Sequence, residues 1–308
     1  MEHIYDMAIL GGGPAGYTAG LYGARAGLDT LVIEQLSPGG QMALTGDIDN
    51  YPGFEEGIDG FTLGMKMQQG AQRFGANTQY TQVTGVDFAN STKRLMTPEG
   101  DILAKTVVLA TGANPKKLGI PGEEEYTGRG VHYCAHCDGR FYKGKVVVVV
   151  GGGNSAAADA LYLSRLASKV YLVHRRDTLR ATKIYHQPLL QAQNVQPVWN
   201  SQITALQTDT ALKGVVIKDL QTGQEQLLPC DGVFISIGRV PNTDFLAGQV
   251  QLNDAGYIVA DETTRTSAPG VFAAGDVRTK ALRQVVTAAA DGAVAAHFAE
   301  EYLAEQGR

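Results

Sequence analysis

The chain has 308 residues, which at ~150 residues per domain is enough for two domains that each bury a core. Hydrophobic residues make up 44% and charged residues 19%, a composition typical of folded chains and not of disordered ones. The net charge is −5 and no long Lys/Arg block occurs, so nucleic acid is not an expected partner.

The chain begins Met1-Glu2-His3-Ile4-Tyr5-Asp6 and enters an apolar strand without a basic segment or a signal peptide. The longest strongly apolar run, Val146–Val150, has the length of a strand and is far too short to cross a membrane. We therefore expect a soluble, cytoplasmic protein that does not associate with membranes.

The first predicted element is an apolar strand at 7–10 that breaks into a glycine-rich turn. The turn reads Gly11, Gly12, Gly13, Pro14, Ala15, Gly16. A helical pattern follows and ends near Gly27, and a second apolar strand at 30–33 closes on Glu34. This order predicts a βαβ unit with a nucleotide at the start of its helix.

The same pattern recurs without gaps later in the chain. Val146–Val150 is the predicted strand, the helical pattern continues past Arg165, and the second strand lies at 170–173. The second turn reads Gly151, Gly152, Gly153, Asn154, Ser155, Ala156. One glycine motif is a weak signal, but two in register, each with a second strand, indicate an α/β fold with two Rossmann-like dinucleotide-binding domains.

The two copies differ where the second strand ends. Glu34 can accept hydrogen bonds from both ribose hydroxyls of an adenine nucleotide. The equivalent position in the second copy is His174, followed by Arg175, Arg176 and Arg180. Guanidinium groups bind a 2′-phosphate that a carboxylate would repel, so we expect the second site to prefer NADPH. The alternative is an ordinary solvated loop of charged residues.

Two clusters of turn residues predict the domain boundaries. One cluster, at 110–115, follows a strand at 106–109, and the other, at 236–242, follows the strand Gly232–Ile235. We expect the second nucleotide-binding unit, at 118–243, to be inserted into the first, which is made of 1–117 and 244–308. The last segment contains a short predicted strand at 271–276 ending in Asp276, and an Ala-rich helical pattern at about 284–305.

Two of the three cysteines, Cys134 and Cys137, form a Cys-x-x-Cys motif just before the second glycine turn. A zinc site needs about four ligands, and the nearby His132 and His136 are too close in sequence to complete an obvious tetrahedron. A purely structural disulfide is disfavoured in a reducing compartment. A redox pair is the favoured interpretation, and Cys230 is expected to be a small buried hydrophobic residue.

Taken together, these motifs resemble those of the low-molecular-weight thioredoxin reductases, and the resemblance covers nearly the whole chain. The motifs that carry it are the paired glycine turns, Cys134-Ala135-His136-Cys137-Asp138, His174-Arg175-Arg176 with Arg180, Gly275-Asp276, and Arg283-Gln284. The resemblance implies an enzyme with an FAD-binding domain at 1–117 and 244–308 and an NADPH-binding domain at 118–243. It also implies that the enzyme reduces thioredoxin and forms a homodimer.

The resemblance also implies roles for individual residues. Cys137 is the flavin-facing sulfur, Cys134 the sulfur that attacks thioredoxin, and Asp138 the proton donor or acceptor. The implied FAD contacts are Gly11, Gly13, Pro14, Ala15, Gly16, Glu34, Gln41, Asn50, Thr111, Gly112, Gly275, Asp276, Arg283 and Gln284. The implied NADPH contacts are Gly151, Gly153, Asn154, Ser155, Ala156, His174, Arg175, Arg176 and Arg180.

Both NADPH and the disulfide must reach the flavin, so the resemblance also implies rotation of the inserted domain about hinges near 114–117 and 240–243. His136 departs from the small residue common in the family. It either lowers the pKa of a neighbouring thiol or faces solvent at the partner interface. Other small disulfide substrates, an iron-sulfur or quinone acceptor, and a redox sensor remain alternatives.

Overall fold

A computed structural model describes residues 3–44, 47–246 and 248–307, so Met1 and Glu2 of the predicted N-terminal start lie outside it. The chain divides into two compact units. The split unit consists of Met1–Asn114 and Val240–Arg308, and the inserted unit is Pro115–Arg239. Two short strands at the chain crossings, β9 (Ala113–Pro115) and β18 (Arg239–Pro241), pair with each other.

The split unit is built on one mixed sheet. Its strands are β1 Ile4–Leu10, β2 Thr30–Glu34, β5 Asn77–Tyr80, β6 Gly85–Asp87, β7 Lys93–Thr97, β8 Gly100–Leu109 and β19 Val271–Ala273. A separate two-stranded ribbon consists of β3 Asp47–Ile48 and β4 Ile58–Asp59. The sheet order is β5-β2-β1-β8-β7-β6, with β19 also paired to β8. The strands β5, β2, β1, β8 and β19 run parallel, which matches their apolar sequences because both faces of a parallel sheet are covered.

Three helices cover one face of this sheet: α1 Pro14–Arg25, α2 Gly60–Gln72 and α6 Val285–Glu305. Met7, Ile9 and Phe272 pack under them in a fully buried cluster. A Cβ at Gly292 of α6 would lie 2.1 Å from the carbonyl oxygen of Ala15, so glycine there lets α6 lie directly against α1. None of the helices in the described residues is both long enough and apolar enough to cross a bilayer.

The inserted unit contains the second parallel sheet, in the order β10-β17-β11-β12-β13. Its strands are β10 Val131–His132, β11 Val146–Val150, β12 Lys169–Val173, β13 Val195–Val198 and β17 Gly232–Ile235. Helices α3 Ala135–Asp138, α4 Asn154–Ser164 and α5 His186–Gln191 line one face, and an antiparallel meander of β14 Ser201–Thr208, β15 Leu212–Asp219 and β16 Glu225–Pro229 lines the other. The meander was not anticipated from the sequence.

The repeat predicted from the sequence is present in the structure. In both copies a parallel strand leads through a glycine turn into a helix and then into a parallel neighbour, in the register Met7↔Thr30 and Val146↔Lys169. The prediction of two Rossmann-like α/β folds is confirmed.

Two predicted boundaries are wrong. The second helix ends at Ser164 and does not continue past Arg165, because the Arg165 N–H bonds to the Tyr162 carbonyl, three residues back, and closes the helix. The strand at 271–276 ends at Ala273, before Asp276. Gly275 has φ +78° and begins a 3-10 turn, so extended backbone cannot reach the acid.

Candidate functional site

The first glycine turn is closed tightly on its inner side and open at the start of α1. A Cβ at Gly11 would lie 2.4 Å from the Ala110 carbonyl oxygen, and one at Gly16 would lie 1.8 Å from the Gly11 carbonyl oxygen. At Gly13, by contrast, a Cβ would meet no atom of the described residues within 4 Å. This space lies at the N-terminus of α1, where free N–H groups favour an anion such as a pyrophosphate.

Glu34 ends β2 beside this turn and is held by main-chain donors. The Gly12 N–H donates to its Oε2 at 2.6 Å, and the N–H groups of Gln35 and Leu36 donate to Oε1 at 2.9 and 3.1 Å. Oε1 thus accepts two N–H groups, whereas Oε2 accepts one and keeps a second lone pair that can accept a ribose hydroxyl. The open turn and this fixed carboxylate fit an adenine dinucleotide.

Four of the polar residues implied as FAD contacts lie in two hydrogen-bonded groups of the split unit. The Asn50 amide donates to Gln284 Oε1 at 3.0 Å, and Gln284 is also the N-cap of α6. The Gln41 amide donates to Asn114 Oδ1 at 2.9 Å. Thr111 Oγ1 donates to the Asn242 carbonyl at 2.8 Å, which ties the end of β8 to the second crossing.

Gly112 and Asn114 complete the second group. The Asn242 N–H donates to the Gly112 carbonyl at 3.0 Å, and the Asn114 amide donates to Asn242 Oδ1 at 2.9 Å. Asn242 was not singled out from the sequence, although it stands in the predicted cluster 236–242. The sequence showed that this cluster is rich in turn residues. It could not show that Asn242 contacts Gly112 and Asn114, because these contacts form only when the chain returns to the end of β8.

The loop that carries Gly275 and Asp276 rests on a buried ionic cluster that the sequence analysis missed. Asp291 of α6 accepts the Gly275 N–H at 2.9 Å, two bonds from Arg278 at 2.9 and 3.0 Å, and one from Lys280 at 2.8 Å. Burial alone would raise the pKa of Asp291, but hydrogen bonds from Arg278 and Lys280 outweigh it and lower the pKa. An acid within an Ala-rich helix was the available signal.

Arg283 is part of the same loop. Its guanidinium lies over the Tyr257 ring, 4.2 Å from the centroid, and Nε donates to the Asp276 carbonyl at 3.3 Å. A second bond runs from Nη2 to the Arg278 carbonyl at 3.2 Å. These contacts hold a positive charge beside the N-terminus of α6.

The second glycine turn repeats the first with one difference. A Cβ at Gly151 would lie 2.4 Å from the Ser236 carbonyl oxygen, whereas one at Gly153 would meet no described atom within 4 Å. Ala156 replaces the last glycine of the first turn. Asn154 accepts the Thr182 N–H on its side-chain oxygen at 2.8 Å, and Ser155 is exposed on the first turn of the helix. The open start of this helix also fits a pyrophosphate.

His174 is buried beneath the second turn. A Cβ at Gly152 would fall 2.1 Å from the imidazole, and Nε2 is buried with no hydrogen-bond partner among the described residues. Burial, reinforced by Arg180, Arg175 and Arg176, lowers the pKa of His174. The three arginines are themselves exposed, which suits them to bind a phosphate dianion.

The two motif cysteines are joined as a Cys134–Cys137 disulfide, with their Cα atoms 5.3 Å apart. Cys134 precedes α3, a single helical turn, and its Sγ accepts the Cys137 N–H at 3.2 Å. Such a donor stabilises negative charge on sulfur. The third cysteine, Cys230, is a free and buried thiol, which confirms the prediction of a small buried hydrophobic residue. Burial raises its pKa to about 12.

Asp138 directly follows Cys137 and contacts a histidine that sequence reasoning considered only as a metal ligand. His132 Nδ1 lies 3.0 Å from Asp138 Oδ2, and His132 Nε2 lies 2.6 Å from the Tyr142 hydroxyl. Burial, with the nearby Asp138, raises the pKa of Tyr142 to about 12. The three residues form one hydrogen-bonded chain behind the disulfide.

His136, between the cysteines, is exposed. Its ring lies 4.1 Å from the ring of Tyr162 on α4, at an angle of 41°. The nearby Asp159 carboxyl is partly buried, which raises its pKa, and it accepts the Ser236 hydroxyl at 2.5 Å. The exposed position is compatible with both interpretations of His136.

A sequence profile of the family described as pyridine nucleotide-disulphide oxidoreductase matches residues 5–292. The chain belongs to this family, and it is therefore an oxidoreductase that depends on FAD and NADPH, as predicted. A thioredoxin reductase of Treponema pallidum is 46% identical over 303 residues, which cover 98% of each chain. Thioredoxin reductases are thus the branch of the family to which the chain belongs.

Solved structures agree with this assignment. The thioredoxin reductase of Streptococcus pyogenes is 43% identical, with a TM-score of 0.91 over 98% of this chain and 99% of that one. The Lactococcus lactis thioredoxin reductase, titled as its FR conformation, is 42% identical over 98% and 99% of the two chains, with a TM-score of 0.69. The predictions of a two-domain fold and of a disulfide reductase are confirmed.

Proposed function

We propose that the chain catalyses the reduction of oxidised thioredoxin by NADPH, through FAD and the Cys134–Cys137 disulfide. The observation that carries this proposal is a disulfide built on the inserted unit, just ahead of the second nucleotide turn. The relatives at 42–46% identity are named thioredoxin reductases, which supports the choice of substrate.

The split unit is the proposed FAD-binding domain, and the inserted unit is the proposed NADPH-binding domain. The unit boundaries at 114/115 and 239/240 lie within four residues of the domain boundaries predicted from the sequence, 117/118 and 243/244. Gly13 and Glu34 would receive the pyrophosphate and ribose of FAD, and Asn50 with Gln284 would contact the flavin side. When bound, FAD would supply the redox chemistry that links NADPH to the disulfide. Gly153 and the exposed Arg175, Arg176 and Arg180 would hold the pyrophosphate and 2′-phosphate of NADPH.

The thiols then carry out disulfide exchange. The Cys134 thiolate attacks one sulfur of the thioredoxin disulfide, and the leaving thiolate takes a proton from Asp138. Asp138 then takes the proton of the Cys137 thiol, and the Cys137 thiolate attacks Cys134 Sγ, which re-forms the intramolecular disulfide. The second thioredoxin sulfur leaves as a thiolate and takes this proton from Asp138. The N–H bond from Cys137 to Cys134 Sγ supports the choice of Cys134 as the attacking sulfur.

Alternation between the two electron partners requires movement, because the disulfide and the proposed NADPH site share one unit. We propose rotation about the crossings near 114–117 and 240–243. The relatives support it: two thioredoxin reductases at 43% and 42% identity give TM-scores of 0.91 and 0.69. A homodimer in the cytoplasm, where thiols stay reduced, completes the proposal.

A coupled assay tests the proposal. Purified protein with NADPH or NADH, thioredoxin and a chromogenic disulfide is expected to consume NADPH only when all components are present. Cys134→Ser and Cys137→Ser are each expected to abolish thioredoxin reduction and to leave bound FAD unchanged. Loss of flavin from either variant would identify the pair as structural. Bleaching of the flavin by NADPH without new thiols would favour an iron-sulfur or quinone acceptor.

A further inference from the structure

A buried histidine links the proposed proton donor Asp138 to the interior of the inserted unit. His132 is 5% exposed and lies on β10, in register with Phe234 of β17. Its ring stacks on Phe234 with centroids 5.1 Å apart and meets the Tyr142 ring edge to face at 5.2 Å. Both ring nitrogens are nevertheless hydrogen-bonded, one to Asp138 and one to Tyr142. Packing alone does not require a residue with two polar atoms here.

The hydrogen-bond chemistry assigns the direction of each bond. An ionised carboxylate can only accept, so His132 Nδ1 carries the proton and donates to Asp138 Oδ2. In this tautomer Nε2 is the acceptor of the Tyr142 hydroxyl. Tyr142 keeps its proton at neutral pH, because burial raises its pKa to about 12, so it fixes this tautomer of His132.

The arrangement leaves one carboxylate oxygen for chemistry. Oδ2 is occupied by His132, whereas Oδ1 accepts no hydrogen bond from any residue that the structure describes. Asp138 begins one peptide bond after Cys137, and its own N–H donates to the Cys134 carbonyl at 3.1 Å. The carboxyl group is therefore held on the same helical turn as both sulfurs, with Oδ1 available to carry the proton that passes to or from a thiol.

We propose that His132 is a positioning residue for the exchange reaction: it orients Asp138 through Oδ2, and Tyr142 fixes the imidazole tautomer. The inference rests on the proposed role of Asp138 as the proton donor and acceptor. The charged and titratable groups near this chain are Asp138 itself, Asp231, Cys230 and Lys145, whose Nζ lies 5.4 Å from the Tyr142 ring centroid. Among them, Asp138 is the one to which His132 donates.

Variants of the full-length holoenzyme test the proposal. His132→Phe keeps the stacked ring and removes both hydrogen bonds, whereas His132→Asn keeps a donor near the position of Nδ1. Asp138→Asn removes the acid, and His297→Phe, on the exposed side of α6, is the matched control. For each variant we measure kcat and KM for thioredoxin, the pH profile of iodoacetamide alkylation of the reduced pair by mass spectrometry, NADPH-dependent ferricyanide reduction, and thermal unfolding.

Asp138→Asn is expected to lower kcat for thioredoxin roughly 100-fold, as loss of a general acid does. His132→Phe is expected to lower it about tenfold with little change in KM, because one hydrogen bond to a charged group is lost. The step in its alkylation profile is expected to move to higher pH, since a carboxylate that has lost its hydrogen-bond donor repels a neighbouring thiolate more strongly. His132→Asn should recover most of the rate, and ferricyanide reduction should not change in any variant.

The outcomes separate the two proposals. If Asp138→Asn turns over thioredoxin normally, the proposed role of Asp138 is wrong. If Asp138→Asn is impaired but His132→Phe matches the His297→Phe control in rate and pH profile, the role of His132 is overturned and that of Asp138 stands. If His132→Phe unfolds, Tyr142→Phe replaces it in the test. We expect Tyr142→Phe to lower the rate about threefold and to shift the alkylation profile in the same direction. An unchanged alkylation profile in Tyr142→Phe overturns the inference.

Discussion

Three exposed guanidinium groups decide the proposed coenzyme preference at the scale of single residues. Replacing Arg175, Arg176 or Arg180 with Ala is expected to raise the KM for NADPH about tenfold each, because each can lose charged hydrogen bonds to a 2′-phosphate. The KM for NADH should not change. Ferricyanide reduction with each coenzyme measures both values. Arg165→Ala, an exposed arginine at the end of α4, is the control, and an equal rise for NADH would contradict the assignment.

Asp291 is expected to control the stability of the split unit. Its carboxylate is the hydrogen-bonded counter-ion of Arg278 and Lys280, whose side chains are only 10% and 6% exposed. Asp291→Asn leaves these buried charges without a counter-ion and should lower the free energy of unfolding by about 3–5 kcal/mol. Urea unfolding followed by flavin release and circular dichroism measures this effect. Asp254→Asn, on an exposed loop, is the control.

The same carboxylate predicts a pH dependence with a defined sign. The pKa of Asp291 is lowered in the folded state, so its contribution to stability is complete above the unfolded value near 3.8 and disappears as the pH falls through the lower folded value. We expect the stability difference between wild type and Asp291→Asn to be constant from about pH 5 to 7 and to shrink below about pH 4. A difference that grows on acidification would refute this assignment.

At the scale of elements, the turn between β1 and α1 has one closed side and one open side. Gly16→Ala places a Cβ 1.8 Å from the Gly11 carbonyl oxygen, so the backbone must move and purified protein should retain little flavin. Gly13→Ala has room for its methyl group and should fold normally, but it narrows the proposed pyrophosphate site and should weaken FAD binding. Flavin content and thermal unfolding distinguish them. Full flavin in both variants would place FAD elsewhere.

The second turn explains why the two copies can differ at the last residue of the turn, which is Gly16 in the first copy and Ala156 in the second. Ala156 occupies the place of Gly16 and is fully buried, whereas Gly151, like Gly11, needs a positive φ. A Cβ at Gly151 would lie only 2.7 Å from the Ala156 Cβ and 2.4 Å from the Ser236 carbonyl. The first glycine of each turn is therefore required by backbone geometry, and the last one depends on how closely each helix start approaches its turn.

At the scale of the whole molecule, the proposed rotation predicts that locking the two units together stops turnover. A disulfide staple between one introduced cysteine in each unit should lower thioredoxin reduction at least ~100-fold, because the disulfide and NADPH can no longer alternate. Ferricyanide reduction should survive if the staple locks the state in which NADPH reaches the flavin. Thiol exchange should survive if the staple locks the state in which the disulfide reaches the flavin. A long flexible bis-maleimide between the same cysteines is the control, and full turnover in the stapled enzyme would argue against rotation.

The sequence alone determined the architecture and the chemical class of this chain. Local pattern is sufficient to predict the repeat at Gly11 and Gly151, the strand Val146–Val150 and the Cys134/Cys137 pair. Each of them depends on backbone preferences and on residues within a few positions of one another. The positions of the parallel strands can also be predicted from the sequence, because the strands of a sheet that is covered on both faces must be apolar.

Only the tertiary structure decided which polar groups meet. His132 joins Asp138 and Tyr142 because β10 pairs with β17 and places its last side chain over the helical turn of the disulfide. Asp291 meets Gly275, Arg278 and Lys280 because α6 returns against the loop after β19. Such pairings depend on the distances between packed elements, and spacing along the chain does not encode those distances in a readable form.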